Sequence, residues 1–299
     1  MRTENLSCDD ASSDVQRRHR NGLSSADRRR QPFEREASNG GLQIADETGV
    51  AVSTDWESIN ALATEQLTRV TAARPDIRTV LHLGDLRLDP DIGSGPSRFL
   101  RKVNRALESC GVERLLVTPG NHDDWDRLSR WWTQHDEAAY RVASRIWFLR
   151  PGTRFVMAGR SILSFGGASA FDRAHQPWWP LSMPDPDRAR SVAAQGPCDV
   201  LLTHEAVSSG IRAVRRVIDG PSSWPVEEID DSIRSRAVVD ELRGAVHPAV
   251  ALHGHIHRAG LERTEDSLTI ALAGRRPEYN AGFLDLPTLT WQWLEDAER

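Results

Sequence analysis

Hydrophobic positions in this chain gather in short runs that end in polar loops, with helical-period segments between them. "VAVST" (50–54) reads as a buried strand. After it Ile59, Leu62, Ala63, Leu67 and Val70 recur at helical spacing until Pro75. "TVLHLGD" (79–85) predicts the next strand, and Phe99, Leu100, Val103 and Leu107 a second helix closed by Gly111. "RLLVTPGNHDD" (114–124), "SILSFGGAS" (161–169), "DVLLTHE" (199–205) and "AVALHGHIH" (249–257) repeat the form of strand and polar loop. Ile233, Ala237, Val238, Leu242 and Val246 mark a helix before the last of these, and "WDRLSRWW" reads as an amphipathic helix with Trp125, Trp131 and Trp132 in the core. "LTIALAG", "AGFLDL" and "TLTWQW" end the chain as strands. This alternation predicts an α/β protein with buried sheets, one domain over residues 42–299.

Residues 1–41 differ. They are rich in Ser, Arg, Asp and Asn, lack a hydrophobic period, and cannot bury enough apolar area to offset their ordering entropy, so they are expected to be disordered. "QRRHR" and "DRRR" within them suggest a nucleic-acid-binding arm, although the acidic residues among them nearly cancel the charge. The formal net charge of −5 over 299 residues gives no global attraction to nucleic acid or anionic membrane. No apolar run approaches the roughly 20 residues of a spanning helix, and the first forty residues show no signal-peptide core. Cys8, Cys110 and Cys198 form no disulfide framework, which points to a reducing compartment and a cytoplasmic location. The basic residues are almost all Arg, with Lys102 the single lysine. Because the bias runs along the whole chain, it reads as compositional rather than as a phosphate site.

Five apolar runs lead straight into N or O ligand types: Asp55, Asp85, Asn121 with His122, His204, and His255 with His257. In α/β sheets, residues distant in sequence meet at the carboxyl ends of strands. Imidazole suits several transition metals, whereas carboxylate and amide oxygen favour Mn or Mg. The set exceeds what one tetrahedral ion needs and includes no cysteine, which argues for two ions rather than a structural zinc. Two ions about 3.5–4 Å apart clamp the oxygens of an in-line displacement and make hydroxide near neutral pH.

"GD" (84–85), "GNHD" (120–123), "TH" (203–204) and "GHIH" (254–257), with "FGGAS" (165–169) between them, resemble in order and spacing the calcineurin-like metallophosphoesterase family over about residues 50–290. The resemblance implies a four-layer α/β/β/α sandwich with two divalent ions (Mn, Fe, Zn or Mg, with Mn favoured) at the strand ends. It implies Asp85 as the bridging carboxylate, Asn121, His204 and His255 on one ion, and His257 on the other. His122 resembles the histidine that is not a ligand and that protonates the leaving oxygen. Asp55 takes the place of the aspartate that opens the family's Asp-x-His. Asp46 is the rival, but choosing it puts an extra strand before Asp85.

Two positions depart from the pattern. Glu57 stands where the family has histidine. It is either an oxygen ligand that hardens the first site toward Mn or Mg, or a helix-start carboxylate complementing the dipole. Leu88 stands where some members carry an aspartate that orients the counterpart of His122, with Asp89 next to it. His82 and His253, inside strands, are expected to be packed with their hydrogen bonds satisfied. Trp178 and Trp179, in the irregular loop "HQPWWPLSMPDP", are candidates for a substrate wall, with Arg173 a candidate phosphate contact. The function implied is hydrolysis of phosphate mono- or diesters, possible substrates including nucleotides, by a hydroxide held between two ions. The alternative, prompted by Glu57 and Leu88, is a binding module that kept the fold and weakened or lost turnover.

Overall fold

The computed structural model describes residues 31–35, 42–44, 47–88 and 96–298. Most of the arginine-rich leader, Asp46 and Asp89 lie outside the described residues. Within that leader, Glu34–Arg35 (β1) nevertheless pairs with Leu42–Ile44 (β2), and Phe33 is buried against Phe155 with ring centroids 5.1 Å apart. This one aromatic anchor gives residues 31–35 the apolar burial that the rest of the leader's composition lacks.

Two sheets lie face to face. In the first, Gly49–Ser53 (β3), Thr79–His82 (β4) and Arg114–Val117 (β5) are mutually parallel. They are flanked by the hairpin Ala139–Ala143 (β6) and Ile146–Leu149 (β7), and by Ala281–Asp285 (β14) with Thr290–Trp293 (β15). In the second, Arg160–Phe165 (β9), Val200–Thr203 (β10), Val250–His253 (β11) and Leu268–Ala271 (β13) are parallel. Thr153–Met157 (β8) and Gly260–Arg263 (β12) pair antiparallel to their neighbours β9 and β13. The strand order is β15-β14-β3-β4-β5-β7-β6 in the first sheet and β1-β2-β8-β9-β10-β11-β13-β12 in the second.

The central strands explain the continuous apolar runs, because both of their faces are buried. Val50, Val52, Leu81, Leu83 and Leu116 point between the sheets and meet Ile162, Val200, Leu202, Val250 and Leu252. The alternate residues Ala51, Val80, Leu115 and Val117 pack outward against Asn60–Ala73 (α1), Arg98–Ser109 (α2) and Trp125–Gln134 (α3). On the far side Leu163, Phe165, Leu201 and Ala251 pack against Pro186–Ala193 (α5) and Val226–Val246 (α7). The short Trp179–Ser182 (α4), Arg212–Ile218 (α6) and Leu294–Ala297 (α8) complete the chain. The architecture is a helix, sheet, sheet, helix sandwich. No helix among the described residues is long and apolar enough to cross a membrane.

Three local expectations change. On α7, Ile233 points outward and is 52% exposed, because the buried stripe is built on Ser232, Ser235, Val239, Leu242 and Val246. The "HQPWWPLSMPDP" stretch is not wholly irregular, since it contains α4 and the start of α5. His82 and His253 are buried strand residues, and His253 Nδ1 meets the Gly254 carbonyl at 3.2 Å, but His82 has no hydrogen bond among the described residues. Neither ring nitrogen of His82 has a partner, and Nε2 of His253 has none. His82 is instead packed edge-on against Trp56, centroids 4.7 Å apart.

Candidate metal centre

The carboxyl ends of β3, β4 and β5 bring Asp55, Asp85 and Asn121 to one edge. The ends of β10 and β11 bring His204, His255 and His257 to the facing edge of the other sheet. Asp55, Asp85 and His204 offer atoms within 4.8 Å of one another, as do Asp55, Glu57 and His257. Asp55 belongs to both groups, although the family resemblance casts Asp85 as the bridge. His204 Nε2 lies 3.3 Å from Asp85 Oδ2 and 3.2 Å from Asn121 Oδ1. The His255 ring stands 5.1 Å from that of His204. His257 Nε2 lies 3.1 Å from Asp55 Oδ1 and 3.3 Å from Glu57 Oε1.

The backbone is shaped to allow this convergence. Asp55, Glu57, Asp85, His255 and His257 all have φ between 43° and 66°, so the chain turns sharply at each candidate. Gly120 has no room for a side chain, since a Cβ there would come 2.2 Å from Asp85 Oδ1 and 2.8 Å from His204 Nε2. Gly84 combines φ of 97° with a would-be Cβ 2.4 Å from His204 Nδ1.

Four residues that sequence reasoning did not single out hold these groups in place. Asp123 Oδ1 accepts hydrogen bonds from the Arg87 and Leu88 amides and Oδ2 from those of Gly120 and Asp85, pinning the "GD" loop to the "GNHD" loop. Gln176 accepts from Asn121 Nδ2 at 3.2 Å, which leaves Asn121 Oδ1 directed at His204. Asn280 accepts from Ser53 Oγ and Trp56 Nε1 and donates to the carbonyls of Thr54 and Ala273, fixing the turn that carries Asp55. Arg275 pairs with Glu57 Oε2, and its own amide donates to the Asp55 carbonyl. The motif letters flagged Asp123 only as the last residue of "GNHD". The other three are remote in sequence from what they hold.

The electrostatics are those of three buried carboxylates facing imidazoles across the sheet edges. Burial opposes ionisation of Asp85, yet His204 and His122 beside it outweigh that and hold its carboxyl below the usual range. Burial alone would depress His204, but Asp85 and Asp55 push it up to about 10. His257 is raised to about 9 against its burial by hydrogen bonds to Asp55 and Glu57. Burial, reinforced by the charge on His204, drives His255 well below the normal range. Asp123 is pushed up to about 6, mainly by burial and then by Asp85.

These residues fit divalent ions. The donors mix carboxylate, amide oxygen and imidazole, as hard and borderline ions require. Leu83 carbonyl, 2.6 Å from His204 Nδ1, can only accept, so Nδ1 carries the hydrogen and Nε2 faces the cluster. His255 Nε2 is buried with no hydrogen-bond partner, an atom waiting for a Lewis acid. Glu57 Oε1 is likewise buried, with His257 Nε2 3.3 Å from it.

His122 lies at the cluster's edge, its amide donating to Asp85 Oδ1 at 2.8 Å and its Nε2 3.9 Å from Asp85 Oδ2. Leu88 is buried in the core. Arg173 is engaged elsewhere: it pairs with Asp231 and lies 4.0 Å over the Trp179 ring. Trp178 Nε1 donates to the Asn121 carbonyl at 3.0 Å. Arg173 is thus taken up by Asp231, while Trp178 and Trp179 stay half-buried. Their loop braces Asn121.

The calcineurin-like phosphoesterase family model matches residues 49–259. A search of curated proteins finds no match. Among solved structures, one that is 17% identical superposes with a TM-score of 0.52, covering 82% of this chain and 97% of the other. A Thermus thermophilus protein is 15% identical, with a TM-score of 0.48 over 83% of this chain and 98% of that one. A dimetal phosphatase from Danio rerio is 14% identical, with a TM-score of 0.46 over 81% and 93%. With the family match spanning most of its length, and with two packed sheets whose strand ends meet in an Asp, Asn and His cluster, the chain belongs to the calcineurin-like phosphoesterase family.

Proposed function

We propose that this chain hydrolyses phosphate mono- or diesters with two divalent ions. Asp55, Glu57, Asp85 and His257 would hold one ion, and Asp85, Asn121, His204 and His255 the other. The observation that carries this reading is the meeting of oxygen donors from one sheet with imidazoles from the other, around two overlapping groups. When bound, such ions supply Lewis acidity and an activated water. Asp123 and Gln176 keep Asp85 and Asn121 in register. His122, partly exposed beside Asp85, delivers a proton to the departing oxygen. Bound ions would compete with the protons on His204 and His257, since each imidazole would have to lend its lone pair. The direct test is hydrolysis of bis(p-nitrophenyl) phosphate by chelator-treated protein before and after manganese is added. Activity that returns with manganese supports the reading, and background rates under both conditions overturn it.

One contact favours a weakened site as a second reading. The Arg275 guanidinium already answers Glu57, and it raises the electrostatic cost of placing an ion there. Arg275→Ala is expected to tighten manganese binding about tenfold in a calorimetric titration. An unchanged affinity would remove Glu57 from the ion's surroundings. A natural protein that holds one ion, gaining a second in this variant, would put the weakened reading first. The suggested nucleic-acid arm lies almost entirely outside the described residues.

A further inference from the structure

Phe171, Arg216, Trp224, Arg236 and His255 line a pocket of 350 Å³ that opens beside the metal centre. His255 belongs to both, so a group attached to a phosphate at the centre has this pocket within reach. Its chemistry is specific. The Phe171 ring lies nearly parallel to the His255 imidazole, 16° apart with centroids at 6.3 Å, and is 5.4 Å from the Trp224 ring. Trp224 sits on the Pro- and Ser-containing loop between α6 and α7 and leaves 49% of itself exposed. Val217 also lines the pocket and is exposed. An aromatic ring held open beside a chemical centre, with a second aromatic packed behind it, is a stacking platform.

The pocket is also basic. Arg216 comes from α6 and forms no ion pair among the described residues. Arg236, from α7, is half-buried and spends one N–H on Ser232 Oγ. A guanidinium is suited to bidentate contact with phosphate or carboxylate oxygens. The volume falls in the range of pockets for small organic ligands.

We propose that this pocket is the subsite for the organic half of the substrate. The substrate is then a phosphate ester carrying a flat base and a second anionic group, which is the chemistry of a nucleotide with two phosphates. The base stacks on Trp224, and Arg216 and Arg236 answer the second anion. The assignment rests on the phosphoesterase reading only for placing one phosphate at the metal centre.

Three probes separate its parts by calorimetry on manganese-loaded protein: ribose 5-phosphate, adenosine 5′-monophosphate and adenosine 3′,5′-bisphosphate. The monophosphate is expected to bind about tenfold more tightly than ribose 5-phosphate, since the pair differs by the base alone. That preference should collapse in Trp224→Ala and persist in Trp224→Phe. The bisphosphate should gain a further factor of about ten, lost in Arg216→Ala. Equal binding of the first two probes by the natural protein, or a preference that survives Trp224→Ala, overturns the base subsite. A bisphosphate advantage untouched by Arg216→Ala overturns the anion half. Phosphate release is read in parallel. Binding with these preferences but no turnover would overturn the hydrolase reading while leaving the pocket's assignment standing.

Discussion

Asp85→Asn is expected to lower manganese-dependent hydrolysis of bis(p-nitrophenyl) phosphate by about a thousandfold or more. Asp85 is buried at the end of β4, 3.3 Å from His204 and held by a backbone turn at φ of 54°. Asparagine keeps the shape, tolerates the left-handed turn and still accepts the His122 amide, so the fold should persist. What disappears is a negative charge in a place screened from water, on which the proposed ion's binding and Lewis acidity would depend. A loss of several kcal/mol in transition-state stabilisation corresponds to three or more powers of ten. Steady-state rates, ion content by mass spectrometry and the thermal midpoint should be measured together. A midpoint near the natural value, with ion content reduced and activity gone, is the expected set. Activity within tenfold of natural would show that Asp85 does not serve the reaction.

The second large effect concerns stability in acid. His82 is fully buried and lowered to about 3, first by burial and then by the charge on His204. In the unfolded chain it titrates near 6.5. Between those values the unfolded chain carries the proton and the folded chain does not, so His82 costs stability as pH falls, by about 1.4 kcal/mol per unit. Asp123, raised to about 6, takes up protons in the folded state over part of the same window and acts in the opposite sense. The difference between two proteins is therefore the informative readout. His82→Leu also removes two unpartnered nitrogens from the core. Its unfolding free energy, relative to the natural protein, should rise by about 3 kcal/mol between pH 6 and pH 4 in chelator. Urea unfolding at three pH values measures this. Parallel pH profiles would show that His82 does not carry the linkage.

Much of the architecture was legible because the central strands are buried on both faces and so appear as unbroken apolar runs. The same runs mark their own ends, which is why Asp55, Asp85, Asn121, His204, His255 and His257 read as strand-end residues in the sequence. What stayed hidden depends on pairings across long sequence distances. Arg275 lies 218 residues from Glu57, and nothing near either residue announces the contact. Ile233 reads as core by its period, but α7 turns Ser235 inward instead, where its hydroxyl meets the buried Glu205 carboxylate. Nothing in the sequence near Arg173 or Trp178 announces that Asp231 pairs with the first and that the Asn121 carbonyl accepts from the second. Polar satisfaction is a property of the folded neighbourhood, and periodicity does not encode it.

The left-handed backbone at the strand ends has a consequence for how such a centre can change over time. Holding a non-glycine residue there costs roughly 1–2 kcal/mol, less for the few residue types that visit this conformation readily, among them aspartate and histidine. Those are also the types that bind ions, so Asp55, Asp85, His255 and His257 meet both demands with one alphabet. Glutamate lies outside it. At residue 57, where φ is 43°, the glutamate therefore carries a backbone cost that a histidine in its place would reduce.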